Sequence, residues 1–125
     1  MNIPSNIPVA VLGLGFGDEG KGLTVASLAQ KRPTKLVIRF NGGSQAAHHV
    51  VRPDGKVHCF SQFGSGTFSG ARTYLSQYVV VDPIGIELEA KALEVLGVKD
   101  PLELLSVDER AILTTPWHKM VNRAK

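Results

Sequence analysis

Between an apolar run, Val9-Ala-Val-Leu12, and a stretch of helical periodicity over residues 23–31, the chain places Gly13-Leu-Gly-Phe-Gly-Asp-Glu-Gly-Lys-Gly22. A buried strand entering and a helix leaving would hold this glycine-rich turn at a helix N-terminus. There the unpaired backbone N–H groups converge on an anion. The phosphate-loop pattern G-x-x-x-x-G-K-[ST] is met from Gly15 through Gly20 and Lys21, but Gly22 stands where the magnesium-binding hydroxyl is expected. Asp18 lies inside the turn, and a carboxylate beside phosphate is repelled unless a metal or a reacting group takes up its charge. A surface acid or helix cap is the plainer reading of Asp18; the glycines around it favour close approach of a ligand.

Lys35-Leu-Val-Ile-Arg-Phe40 reads as a second strand, so residues 9–40 are predicted to form a right-handed βαβ unit with parallel strands. Ligands in such sheets bind at the carboxyl ends of the strands. Both the first glycine loop and residues 41–47 leave those ends. Arg52-Pro-Asp-Gly-Lys56 is a turn between two β-rich segments and predicts a hairpin. A further glycine loop follows, Phe63-Gly-Ser-Gly-Thr67, read with equal weight as a plain turn. Tyr78-Val-Val-Val81 predicts a strand, Asp82 a helix cap, residues 84–96 a helix closed by Gly97, residues 102–105 a helical turn and residues 111–113 another strand. Residues 116–125 look like the start of a helix, with Trp117 expected in the core. The expected fold class is α/β, P-loop-like, with a mostly parallel sheet, flanking helices and a β-hairpin insertion.

With 125 residues, 43% of them hydrophobic, the chain can bury one core. Cys59 is the only cysteine, which rules out an internal disulfide and a Cys-based metal site; it is expected to be buried and inert. Residues 1–8 have neither a basic start nor a long apolar stretch, so no signal peptide or membrane anchor is expected, and the default location is cytoplasmic. Residues 1–81 carry eight Lys or Arg against three Asp or Glu, yet the cations are dispersed, without a basic run. That spread suits small anionic ligands better than nucleic acid or a membrane.

Gly42-Gly-Ser-Gln-Ala-Ala-His-His49 is a second polar loop, in which a histidine can donate to a transferring phosphoryl group. His48 and His49 point to opposite faces if the segment is extended. The four histidines lack the spacing of a compact zinc site.

Taken in order, Gly17-Asp-Glu-Gly-Lys-Gly22, Arg39-Phe-Asn-Gly-Gly43 with a nearby histidine, and Phe63-Gly-Ser-Gly-Thr67 resemble adenylosuccinate synthetase, whose motifs are WGDEGKGK, a GGHNAGHT-like loop and PSGI. The resemblance implies a GTP-dependent, magnesium-requiring ligase that joins aspartate to IMP through a 6-phosphoryl intermediate. It implies that Asp18 is the base at purine N1 and a magnesium ligand, that His48 stabilises phosphoryl transfer, and that the Ala47 carbonyl reaches the metal. Gly17, Glu19, Gly20, Lys21 and Gly22 would hold the GTP phosphates, and Gln45 would contact the purine nucleotide. A homodimer is implied as well. Phe16, Ser44, Gln45, Ala47 and His49 depart from the family pattern and surround the purine site, which leaves open a paralogue acting on another purine nucleotide. A phage branch that acts on a guanine nucleotide typically lacks the loop aspartate, and Asp18 argues against it. Family members are several times longer, so residues 1–125 correspond to an N-terminal portion of the nucleotide-binding domain. A non-catalytic nucleotide-binding module, or a second chain supplying the rest, are the alternatives.

Overall fold

The computed structural model describes residues 7–124. The first helix, α1 (Lys21–Lys31), starts directly after the glycine loop. It is followed by strand β1 (Leu36–Arg39) and by the hairpin of β2 (His48–Val51) and β3 (Val57–Phe60). A 3-10 turn at Thr67–Ser69 leads into β4 (Arg72–Leu75), then β5 (Val80–Val81) and helix α2 (Pro83–Val95). The 3-10 turn Pro101–Leu104, strands β6 (Leu105–Val107) and β7 (Ile112–Leu113), and helix α3 (Pro116–Arg123) complete the described chain. The predicted helices, hairpin and strand at 111–113 are present, and the strand predicted at 78–81 shortens to β5. Residue 125, at the end of the last predicted helix, and residues 1–6, within the segment read for a leader, lie outside the described residues.

The main sheet is parallel, in the order β1-β4-β6. Its central strand, β4, has no counterpart in the sequence reading. Arg72-Thr-Tyr-Leu75 is too short and too polar for a run of apolar residues to mark it, although Thr73 and Leu75 are both fully buried and Arg72 is exposed. The alternation was there over a single period. Two-stranded pairs, β5 with β7 in parallel and β2 with β3 antiparallel, extend the architecture. Phe60, Phe63, Leu75, Val79 and Leu93 are fully buried and join Val50, Val81, Ile86 and Ala90 in one core between sheet, hairpin and α2.

Three expectations need correction. Residues 9–12 form no strand, so the βαβ unit is not closed. Four apolar residues become a strand only against a ladder partner. Instead the segment lies along α1: Arg32 donates to the Ile7 carbonyl at 2.9 Å, Val11 lines the cavity at the start of α1, and Val9 and Leu12 remain exposed. Trp117 is 73% exposed, because α3 buries no residue and presents Trp117, Met120 and Val121 outward. Cys59 is only partly buried, since it alternates with the buried His58 and Phe60 along β3.

Candidate functional site: a cationic cavity framed by three glycine loops

The turn before α1 is built from left-handed backbone. Gly17, Asp18 and Gly20 have φ of 105°, 49° and 69°. Glycine adopts these angles without a steric penalty, and aspartate is among the few side chains that tolerate them. The Glu19 carboxylate folds back into the turn, accepting the Gly15 N–H on one oxygen and the Lys21 ammonium, at 2.6 Å, on the other. The Lys21 hydrogen bond first, and then the Gly15 N–H, hold its pKa below the usual carboxylate value. The cradle is thus closed around an anion of its own. Asp18 is exposed and makes no hydrogen bond or ion pair among the described residues.

Gly22 is buried in the first turn of α1, where the ordinary phosphate loop carries its hydroxyl. A Cβ added there would lie 2.5 Å from the His48 Cβ. His48 therefore occupies the space of the missing side chain, which explains physically why the residue after Lys21 is glycine. The hairpin aims His48: along β2, His48 and Val50 turn inward while His49 and Val51 face solvent. The two adjacent imidazoles do diverge, as an extended segment requires.

Lys21, Gly22 and His48 meet around a cavity of about 280 Å³, together with Asn41, Gly42 and Ala46 of the second loop and Gly64 and Ser65 of the third. All three glycine loops reach it. The third fits tightly: a Cβ at Gly64 would sit 2.9 Å from Val37 and 3.0 Å from the Thr73 hydroxyl, and one at Gly66 would sit 2.8 Å from Val37. These glycines let the loop lie against β1 and β4. A larger groove, about 540 Å³, runs between α1 and the hairpin; its one charged lining residue, Arg52, is engaged with the Leu96 carbonyl and the Phe68 ring.

Burial lowers the pKa of His48, and the positive charges of Arg39 and then Lys21 lower it further. Arg39 projects from β1 on the same side as Val37 and also lines the cavity. Burial lowers its own pKa, while the negative charge of Glu89 opposes that shift. Its guanidinium donates to the Ser61 carbonyl. Glu89, 7% exposed on α2, accepts backbone N–H bonds from Ser61 at 3.0 Å, Gln62 at 2.6 Å and Phe63 at 3.4 Å, and lies 3.5 Å from His58 Nε2. One buried carboxylate thus fixes the approach to the third glycine loop and, through Ser61, the Arg39 guanidinium. The sequence reading passed over both residues. The available signal was an acid at position 89 on the stripe Ile86, Ala90, Leu93, and an arginine on the inward side of a strand.

Of the residues singled out in the sequence, Lys21, Gly22 and His48 are brought together. Gly17, Asp18, Glu19 and Gly20 lie on the exposed turn outside the cavity lining. Gln45 folds over its own loop towards Gly43, and Ala47 faces outward beside the lining residue Ala46. Asp82 caps α2 by position, while its carboxylate pairs with Lys119 at 2.5 Å. His118 caps α3, its Nδ1 accepting the Thr115 N–H at 3.1 Å. Among the described residues no three His, Cys, Asp or Glu side chains cluster as a metal site. A free carboxylate beside a phosphate cradle fits magnesium, which takes one or two carboxylates and completes its shell with phosphate oxygens and water.

Fold and site together define an α/β chain with a glycine-rich turn at the start of its first helix and a histidine packed against that helix start. The chain belongs to the adenylosuccinate synthetase family, whose model matches residues 10–125. It is 39% identical over 116 residues to the adenylosuccinate synthetase of Clostridium beijerinckii and 35% identical over 109 residues to that of Borrelia turicatae. These alignments cover 92% and 87% of this chain, but 26% and 24% of the relatives. Among solved structures, the fully ligated adenylosuccinate synthetase of Plasmodium falciparum superposes with a TM-score of 0.73 over 90% of this chain and 25% of that one, at 23% identity. The cyanophage S-2L succinoaminodeoxyadenylate synthetase, solved with dGMP and dATP, gives 0.70 over 87% of this chain and 30% of its own, also at 23% identity. The chain therefore spans about a quarter of the length of the curated relatives it matches. No described helix is long and apolar enough to cross a membrane.

Proposed function

We propose that residues 1–125 supply the phosphate-binding and phosphoryl-transfer face of a GTP-dependent ligase that joins aspartate to an IMP-like purine nucleotide through a 6-phosphoryl intermediate. The observation that carries this reading is the meeting of Lys21, Gly22 and His48 at one cavity framed by three glycine loops. Lys21 and the amides of residues 19–22 hold the GTP phosphates, with the start of α1 adding its dipole. Asp18 takes the proton from purine N1, which makes the 6-oxygen nucleophilic towards the γ-phosphorus. His48 donates a hydrogen bond to the phosphoryl group in transit. Burial and the charges of Arg39 and Lys21 lower its pKa and so favour the neutral ring, which still has one N–H to donate. Asp18 and the Ala47 carbonyl would hold a magnesium ion, which would supply charge neutralisation to the phosphate oxygens. Gln45 contacts the purine nucleotide after its side chain swings off Gly43.

Ser44, Gln45, Ala47 and His49 differ from the family's second-loop pattern, which favours a purine other than hypoxanthine as the second reading. Calorimetric titration of the chain with GTP and magnesium tests the shared part: saturable binding is expected, and none at millimolar GTP would overturn it. With the full-length gene product, aspartate-dependent phosphate release in the presence of IMP or GMP separates the two purines.

A further inference from the structure

Arg39 is the one strongly basic residue of the cavity that the phosphate-loop reading does not use. It lines the cavity from β1 rather than from the turn before α1. Two further observations set it apart from a surface arginine. Among the described residues its guanidinium donates a hydrogen bond to the carbonyl of Ser61 alone. That carbonyl belongs to a turn held in place by the buried Glu89 carboxylate through three consecutive backbone N–H groups. The charge of Glu89 acts on Arg39 and the charge of Arg39 acts on His48, a second residue of the same cavity lining.

We propose that Arg39 is a second anion ligand of this cavity, alongside Lys21, and that Glu89 is its positioning residue. A guanidinium presents a planar fork of N–H donors matched to phosphate oxygens, whereas an ammonium acts as a point charge. One edge of the fork is spent on Ser61, and the residue itself lines the cavity. Glu89 offsets part of the cost of burying the arginine without entering the cavity, so the net charge offered to a ligand stays positive. No acid is among the cavity-lining residues. The ligand class is a polyphosphate or a phosphoryl group, gripped from the helix side by Lys21 and from the sheet side by Arg39. The proposal rests on the phosphate-binding reading above and adds a residue to it.

The test uses inorganic pyrophosphate as probe, titrated into the 125-residue chain by calorimetry, with GTP and magnesium in parallel. Arg39→Gln is expected to weaken pyrophosphate binding about tenfold or more, as loss of a charge-assisted hydrogen bond does. Arg39→Lys restores part of that loss, because the charge returns without the fork. Pyrophosphate that fails to bind the unsubstituted chain, or binds Arg39→Gln as tightly, overturns the proposal; GTP binding retained in either case leaves the functional reading standing. Should Arg39→Gln not fold, the unsubstituted chain still decides the matter. The ¹⁵N-labelled Arg39 side-chain resonances shift on adding pyrophosphate if the guanidinium is a ligand, and unmoved resonances at saturation overturn the assignment. For Glu89, the variant Glu89→Asp weakens pyrophosphate binding if the acid positions the guanidinium, while unchanged affinity removes it from that role.

Discussion

The first and third glycine loops use the same residue for opposite purposes. In Gly13–Gly22 the glycines at 17 and 20 provide left-handed backbone, and residues 13–20 are exposed, with the Glu19 carboxylate folded into the turn onto Gly15 and Lys21. In Phe63–Thr67 the glycines provide close approach: every residue is buried, and Gly64 and Gly66 press on Val37. Its Gly64 N–H donates to Thr73 at 2.9 Å, and the Glu89 carboxylate holds the residues before it. One loop is an adjustable receptor and the other a fixed wall. A glycine-rich string alone does not say which is which; the residues packed around it do.

This contrast is most exposed to test at Glu89. Glu89→Ala leaves three backbone N–H groups, two of them buried, without their acceptor and is expected to cost about 3 kcal/mol or more in urea unfolding, by analogy with other buried charges stripped of a partner. A cost below about 1 kcal/mol would show that the wall is not held by the acid. Gly22→Thr restores the hydroxyl of the ordinary phosphate loop and drives a side chain into His48; overpacking of this kind costs about 1–3 kcal/mol. GTP binding is expected to fall with it, and a thermal scan beside calorimetry shows whether both losses occur. On the receptor side, Lys21→Ala should leave the melting temperature unchanged while weakening GTP about tenfold. Equal damage to stability would erase the distinction between the loops. The smallest effect is expected from Glu19→Gln, which removes the built-in anion and should tighten pyrophosphate a few-fold in the same titration, because Lys21 no longer has to leave a charged partner.

The cavity itself gives a pH test. The His48 pKa is depressed, so the folded chain binds fewer protons than the unfolded chain in this range. His48 therefore contributes stability above the unfolded imidazole value of about 6.5 that is lost as pH falls through the lower folded value. Arg39→Gln removes one of the charges depressing it, so the His48 imidazole resonances should titrate at higher pH in that variant. Titration at the same pH would mean that burial and Lys21 set the shift without Arg39.

How much of this was legible in the sequence depended on range. Helices α1 and α2 and the β2–β3 hairpin carry their periodicity and turn residues locally, and they appear close to where they are read. Strand β4 was missed because a four-residue parallel strand is defined by its neighbours on both sides, Leu36–Arg39 and Leu105–Val107, far away in sequence. The strand read at 9–12 failed for the converse reason: its apolar residues have no ladder to join among those described. In the site, motif spacing located Lys21, Gly22 and His48, whereas Arg39 and Glu89 matter through burial and through contacts with residues 61–63, which no local pattern encodes. Residue type alone points Trp117 to the core, yet the helix that carries it buries no residue and meets the rest of the fold through the Lys119 pair with Asp82.

The alternation along β2 has a consequence for how this chain tolerates change. His48 pairs with Phe60 and His49 with Cys59, and a strand of period two shifted by one residue exchanges its faces. Deleting a single alanine from the Gln45-Ala-Ala-His48 stretch would therefore rotate one imidazole out of the cavity and offer the next in its place. The chain carries a spare for its site histidine, and the length of the second glycine loop is the selector that decides which of the two is in use.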